Sequence, residues 1–556
     1  MTNYISISST RSRKFYGVVR TNSLGNELLG KLGFIRFQLQ TGKEITVLCQ
    51  ITSVDRRNTI HEDPSFGPVI ANKGSIPYLS NIGDYEESVA KPIAQQVDGN
   101  PAALRANPPS GTQIVSLDAK SVSESGNPQT VFNSFSSTEP QFLRYAGTLV
   151  GESIKVPFIC KSFDPKSKHG WGEARHAGFF GRSGSGKTHA AKIMLAINLI
   201  STPTTGAFIP DAKGDFVKPS QQDLDLKKIL ENNGRSVETI SIKSLKLEEV
   251  EHFEKLLIIE GIQKLMINAA ADKFKTILDI ALSDFSDSDD KLIVSGEREI
   301  TLDRLLASFN SRIELYYSGS EKELAKRVAQ AENVQMSNRS KLQARFDKVL
   351  KNFKEGQDIN QMITQVLQDG KIYFLDARGY DEDMNRFILE LIYKKFRRRT
   401  SNLFYSGKYS NAIVYVDEAN RFIPQTPSEE QKELAKELID GIKTTRQYGL
   451  AWWFADQRPA AISKDAFTQL GTYFFGKGMT AAADRDNMES VIGKEGVQIY
   501  EYVMTTSNRA FIASGQFVGI GGEDSVTVPI DFFGNWQNMV DFNNQDFDAY
   551  LKSDKI

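Results

Sequence analysis

Three regimes of apolar and polar spacing succeed one another along the chain. In the first, up to about residue 95, short segments such as 15–20, 33–39 and 44–54 alternate apolar with polar residues between glycine or asparagine turns. That is the period of strands with one buried face. No long helical pattern interrupts them, which predicts a small all-β module, a barrel. Residues 96–140 are rich in Pro, Ser, Asn, Gly and Gln (NPPSGTQ, SVSESGNPQT) and read as a long loop or linker. Strand-like text resumes over 141–159.

In the second regime a short apolar run, 177–180, meets a glycine-rich turn and then Ile193, Leu195, Ala196 and Leu199 at helical spacing. GAFIPDAKGDF follows, a short strand ending at Asp211. From about residue 220 to 368 the chain turns charged and mostly helical. HFEKLLIIEGIQKLMINAAADKFKTILDIAL and SNRSKLQARFDKVLKNFKE place apolar residues at three- and four-residue steps, broken by a strand at 238–242.

The third regime holds four apolar strands, KIYFLDA, NAIVYVDEA, GLAWWFADQ and GTYFFGKG, separated by helices or loops. Near-continuous apolar strands alternating with helices predict an α/β domain with a parallel sheet covered on both faces. The expected organisation is a β-barrel-like domain with a polar linker (1–150), a first part of the core (151–217), a helical insertion (218–368), a second part of the core (369–534) and a polar C-terminal tail (535–556).

Composition adds mainly exclusions. Lys plus Arg number 68 against 69 for Asp plus Glu, a net charge of -1, so no global basic signal marks a nucleic-acid binder. A ring can still confine positive charge to its pore. Cys49 and Cys160 lie far apart in apolar surroundings and read as buried thiols in a reducing compartment. No apolar run approaches ~18 residues, and no signal-peptide pattern opens the chain. A cytoplasmic protein without integral membrane association is expected.

The chemistry centres on G-x-x-x-x-G-K-[ST], matched by Gly181, Gly186, Lys187 and Thr188. A loop of Gly181, Ser183, Gly184, Ser185 and Gly186, leading into Lys187, Thr188 and His189, would turn backbone N–H groups and a helix N-terminus toward phosphates. Lys187 would reach the β- and γ-phosphates of ATP or GTP, and the Thr188 hydroxyl would ligate Mg²⁺. In NAIVYVDEANRFIP, Asp417 would hold the Mg²⁺ shell and Glu418 would deprotonate the attacking water. The alternative for this pair is a helix N-terminus. Gln457, at the end of the next strand, would sense the γ-phosphate. Arg446 in TTRQYGL is the first candidate for a cation supplied by a neighbouring subunit, with Lys477 and Arg485 as alternatives and a surface ion pair as the plain reading. Asp211 and Asp215 would either assist water or metal positioning or form a turn.

GRSGSGKT, the D-x-x-G-[DE] turn, KIYFLDARG, VYVDEANRFIP, TTRQYGL and FADQRP, in that order, resemble the HerA branch of the HerA/FtsK ATPases at motif level over most of residues 140–520. The resemblance implies a RecA-like P-loop core behind a small barrel, with a helical insertion, in a homo-hexameric ring that moves on double-stranded DNA using ATP and Mg²⁺. On that alignment Lys187, Asp211, Glu418 and Arg446 fall on the family's lysine, aspartate, catalytic glutamate and trans-acting arginine. Two departures stand out: Asp215 where a glutamate is usual, and Gln447 where a lysine often follows the arginine. The family commonly works with a nuclease, and antiphage members with a nuclease or sirtuin-like effector. No nuclease constellation is recognisable in this sequence, so such an effector would be a separate polypeptide. Two other roles fit the same motifs: a regulatory scaffold ring, and a type IV secretion-type motor.

Overall fold

The computed structural model describes residues 3–11, 13–19, 28–76, 84–105, 107–117, 128–136, 138–220, 224–317, 319–378, 381–505, 509–520 and 526–534. The tail expected at 535–556 lies outside them.

Alternation in the first hundred residues produces β1 (Asn3–Arg11), β2 (Lys14–Val19), β3 (Leu32–Gln38), β4 (Glu44–Asn58), β5 (Asp84–Val97), β6 (Asn100–Ala102) and β7 (Gln113–Ser116). Six of them close a barrel in the order β2-β1-β7-β3-β4-β5, with β5 returning to β2, while β6 pairs only with β5. The inward positions Ile5, Ile7, Phe15, Ile35, Val47 and Ile51 fill its core. β7 was not foreseen, since its four residues fall within the stretch read as a loop. It is too short to show a period, and only pairing with β1 and β3 makes it a strand.

The rest of the sheet-forming text gathers into one 11-stranded sheet. Its strands are β8 (Leu143–Leu149), β9 (Lys155–Ile159), β10 (Ala177–Phe180), β11 (Gly206–Asp211), β12 (Val237–Ser241), β15 (Ile372–Asp376), β16 (Ala412–Asp417), β17 (Leu450–Asp456), β18 (Thr472–Phe475), β19 (Ala510–Gly515) and β20 (Thr527–Phe532). Two short strands, β13 (Leu245–Lys246) and β14 (Gln357–Asp358), pair separately. The order is β12-β15-β11-β16-β17-β10-β18-β19-β20-β8-β9. It is parallel from β12 to β18 and antiparallel beyond. The sheet thus reaches back to Leu143, across the boundary expected at residue 150, because the β8–β9 hairpin adds to its far edge.

Side chains alternate cleanly between the two faces, as a period of two requires. Phe180, Phe208, Val414, Trp452 and Phe454 enter one core; Phe179, Ile209, Tyr415 and Trp453 enter the other. Helix α1 (Lys187–Ser201) covers the second face, burying Ile193, Leu195, Ala196 and Leu199. The first face is covered by α2 (Ile359–Gln368), α3 (Glu382–Tyr405) and α4 (Glu429–Thr445), and by the insertion helices. Helix α5 (Ala482–Val503), kinked at Gly493, packs beside β4, and the Gln50 amide of the barrel donates to Thr527 O at 2.7 Å. Among the described residues no helix is long and apolar enough to cross a membrane.

Candidate active site

Parallel strands put their carboxyl ends on one edge, and here that edge carries the chemistry. β10 ends at Phe180, in register with Asp456 of β17 and Phe475 of β18. The loop of residues 181–186 then turns into α1 through Gly184 (φ +78) and Gly186 (φ +88), left-handed conformations that favour glycine. Gly181 is required by packing: a Cβ there would lie 2.4 Å from Ser185 Oγ. Neighbouring strands pin the loop, with Gly181 N donating to Asp456 O (3.2 Å) and Arg182 N to Lys477 O (2.9 Å).

Lys187 folds back across this loop, its ammonium donating to Gly181 O at 2.5 Å and Arg182 O at 3.2 Å. Partial burial pushes its pKa down, and the nearby Asp417 carboxylate opposes that shift. Ser183 and Gly184 are exposed at the loop tip, Ser185 is buried, and Thr188 is half-buried in the first turn of α1. The His189 ring lies 2.8 Å from Phe533 O.

Four adjacent strands, β15, β11, β16 and β17, all end in aspartate, and the four carboxylates have different surroundings. Asp376 pairs with the Arg378 guanidinium through two 2.9 Å bonds. Asp211 is buried and accepts five backbone N–H bonds: Oδ1 from Lys213, Gly214 and Asp215, Oδ2 from Phe216 and Val217, at 2.7–3.2 Å. Asp456 accepts from the backbone of Asn420 (2.8 Å) and Arg458 (3.2 Å). Among the described residues Asp417 accepts from Glu418 N alone (3.0 Å) within hydrogen-bond range, with Lys213 Nζ 3.8 Å away. Burial pushes the pKa of Asp417 up.

A half-buried carboxylate with few donors is one that a cation would relieve. Asp417 fits a magnesium ion better than its three neighbours do, and Thr188 is the hydroxyl offered from the loop. Asp211 offers no comparable opening, since its oxygens organise the turn 211–217. Among the described residues no group of three His, Cys, Asp or Glu side chains forms a ready metal cage, so phosphate oxygens would have to complete any such shell.

Glu418 leaves β16 in a left-handed conformation (φ 50, ψ 52) that re-aims the chain just past Asp417. One carboxylate oxygen meets Lys213 Nζ at 2.7 Å and the other meets Arg421 Nε at 2.5 Å. Despite its partial burial these cations hold its pKa below the ordinary glutamate value. Gln457 is exposed at the end of β17, one residue past buried Asp456.

Arg446 lies elsewhere. It follows α4 and precedes β17, at the amino-terminal edge of the sheet, where its Nε pairs with Glu173 at 3.1 Å. Seven residues of β17 separate the two edges, roughly 20 Å at strand rise. Of the alternatives, Arg485 pairs with Glu501 at 2.8 Å, while Lys477 supplies the carbonyl that holds Arg182.

Lys213, Arg421 and Asp456 were not weighted by the sequence reading. All three stand inside quoted motifs, GAFIPDAKGDF, NAIVYVDEANRFIP and FADQRP, and the missing signal was the adjacency of β11, β16 and β17.

Residues 174–396 match the family model described as "Helicase HerA, central domain". No curated protein sequence matches the chain. Among solved structures, the bacterial conjugative coupling protein TrwBdeltaN70, in an unbound monoclinic form, is 12% identical, with 73% of this chain and 92% of that one covered at a TM-score of 0.39. VirB4 of Thermoanaerobacter pseudethanolicus is 11% identical, with 71% and 98% covered at 0.41. The genome packaging NTPase B204 from Sulfolobus turreted icosahedral virus 2, in complex with sulfate, is 10% identical, with 61% and 91% covered at 0.26. At these scores the structural likenesses carry no argument about activity.

Proposed function

We propose that this chain, whose residues 174–396 match the HerA central-domain model, is an ATP-hydrolysing ring motor acting on double-stranded DNA beside a separate nuclease or sirtuin-like effector. The observation that carries the reading is the division of labour along the sheet. Lys187, Asp417, Glu418 and Gln457 collect at one edge, while Arg446 sits at the other.

In this reading the loop amides, the amino end of α1 and Lys187 bind the phosphates, and Gln457 marks the γ-phosphate. Thr188 and Asp417 would hold magnesium, which would supply neutralisation of charge on the phosphates. Glu418 orients a water and accepts its proton. Its carboxylate is ionised at neutral pH, as a proton acceptor must be. Asp211 builds the turn beside the site. Arg446 lies too far from its own Lys187 to assist there, so it would complete a neighbouring copy's site, and a closed ring of six satisfies every interface alike.

The test is ATP turnover by the purified chain with and without duplex DNA, together with its assembled mass. Turnover in a hexamer, raised by duplex DNA, supports the motor. A DNA-indifferent hexameric ATPase means a scaffold that regulates its effector, and a monomer with full activity overturns the ring.

A further inference from the structure

Glu418 has to be held as well as present. Its backbone turns off β16 in a left-handed conformation, and its carboxylate is gripped by cations at both oxygens. Arg421 grips one oxygen from a single turn ahead, and its other nitrogen reaches Glu382, an exposed residue. Lys213 grips the other oxygen from the turn that follows β11.

The foundation under Lys213 is firm. The Asp211 carboxylate collects five amides of the turn that presents it. Gly214 stands at φ +96, where a Cβ would lie 2.5 Å from the Arg378 guanidinium. From α1, the helix that follows the phosphate loop, the buried Lys192 ammonium donates to Asp215 O at 2.6 Å and Leu224 O at 3.0 Å. The turn is thereby tied to the phosphate-binding helix on one side and to Glu418 on the other. β11 and β16 pair in parallel with Phe208 opposite Val414, and the same offset brings Asp211 level with Asp417. Lys213 therefore rises directly beside the two carboxylates.

We propose that Lys213 is a positioning residue for Glu418: its ammonium sets the glutamate's place beside Asp417, and Asp211 and Lys192 fix Lys213 relative to the phosphate loop. The proposal rests on the reading of Glu418 as the base. It assigns the PDAKGDF turn a geometric role, with no direct contact to the reacting atoms required.

The test is a double-mutant cycle on the full-length chain with Lys213→Ala, Glu418→Gln and the pair. Lys213→Ala is expected to lower kcat roughly tenfold or more, as removing an orienting partner does. KM and the affinity for a fluorescent ADP analogue in Mg²⁺ stay at the starting values, and Lys213→Arg recovers part of the loss. In the Glu418→Gln background Lys213→Ala adds less than about twofold, because partners that act through one group are not additive. The melting midpoints of the four chains show the same non-additivity without any turnover. If Lys213→Ala does not fold, Lys213→Gln of similar length takes its place. Unchanged kcat, or a full further loss in the Glu418→Gln background, overturns the proposal. Undiminished turnover in Glu418→Gln alone instead overturns the assignment of the base.

Discussion

Arg446 Nε lies 3.1 Å from Glu173 Oε2, and this pair sits at the amino edge of β17 while Gln457 follows its carboxyl end. An exposed ion pair contributes little to stability. The position of the arginine, a strand's length from the phosphate loop of its own chain, matters more.

Arg446→Ala should leave the melting midpoint and nucleotide binding unchanged while turnover falls about 10³-fold or more, the scale of a lost arginine finger. Mixing Arg446→Ala with Lys187→Ala subunits restores interfaces that pair an intact lysine with an intact arginine. Measurable turnover in co-assembled rings supports action across the boundary. If the mixture stays dead, dilution of the wild-type chain with the arginine variant separates what remains: steep, nonlinear loss indicates coupled firing, and linear loss a residue acting within its own chain.

Binding and hydrolysis should separate at two positions. Lys187→Ala loses turnover and weakens ATP binding, because the cation that the loop itself supplies is gone. Glu418→Gln keeps the volume but not the basicity, so ATP binds and persists while turnover falls by roughly 10²–10⁴. Equilibrium binding of a fluorescent ATP analogue, set beside phosphate release, checks both. Equal loss of binding in the glutamine variant would make Glu418 structural.

Asp211→Ala should damage the fold before the chemistry. Five amides lose their acceptor at once, and each buried donor left unmet costs about 1–3 kcal/mol. Even with water reaching some of them, a loss of ~3 kcal/mol or more is expected by denaturant titration. A variant as stable as the parent would reopen a metal or water role for this carboxylate.

His176 should make the protein acid-sensitive. Its ring is buried, with Nδ1 accepting from Trp452 N at 3.0 Å and Nε2 placed 3.0 Å from Ile442 O to donate. Burial pushes its pKa down to about 4, aided by Arg446 and Arg175. The unfolded chain takes up this proton near pH 6.5, well before the folded one. Stability from this group is complete above about pH 6.5 and is lost as pH falls toward 4, in total about 3 kcal/mol. Denaturation midpoints at pH 7.5 and 5 should differ, and less so in His176→Gln. A variant with the parent's pH dependence would contradict this.

The sequence announced most of the parallel part of the sheet because its strands are local apolar runs, four of them ending in aspartate, at Asp211, Asp376, Asp417 and Asp456. The barrel was legible in the same way from alternation. The antiparallel extension was not, since Ile530 pairs with Leu149 and no local pattern records a partner so distant. The phosphate loop and Asp417–Glu418 announce themselves as motifs. What surrounds Glu418 does not, because Lys213 reaches it only through the adjacency of β11 and β16. For Asp211 the sequence left turn and metal equally open, and only the directions of five N–H bonds favour the turn.

The helical insertion leaves the sheet after β12 and returns ahead of β15, and its neck is closed where Leu245 pairs with Gln357 and Lys246 with Asp358. Past that neck its apolar residues, Phe253, Phe274, Phe309 and Phe346, belong to the same continuous core as Phe208 and Trp452 of the sheet. Lys395 of α3 adds a 2.6 Å ion pair to Glu249. A segment clamped at its root and fused along its flank is a buttress: its helices share the core of the sheet's first face, so packing lost in the insertion is lost to the sheet as well.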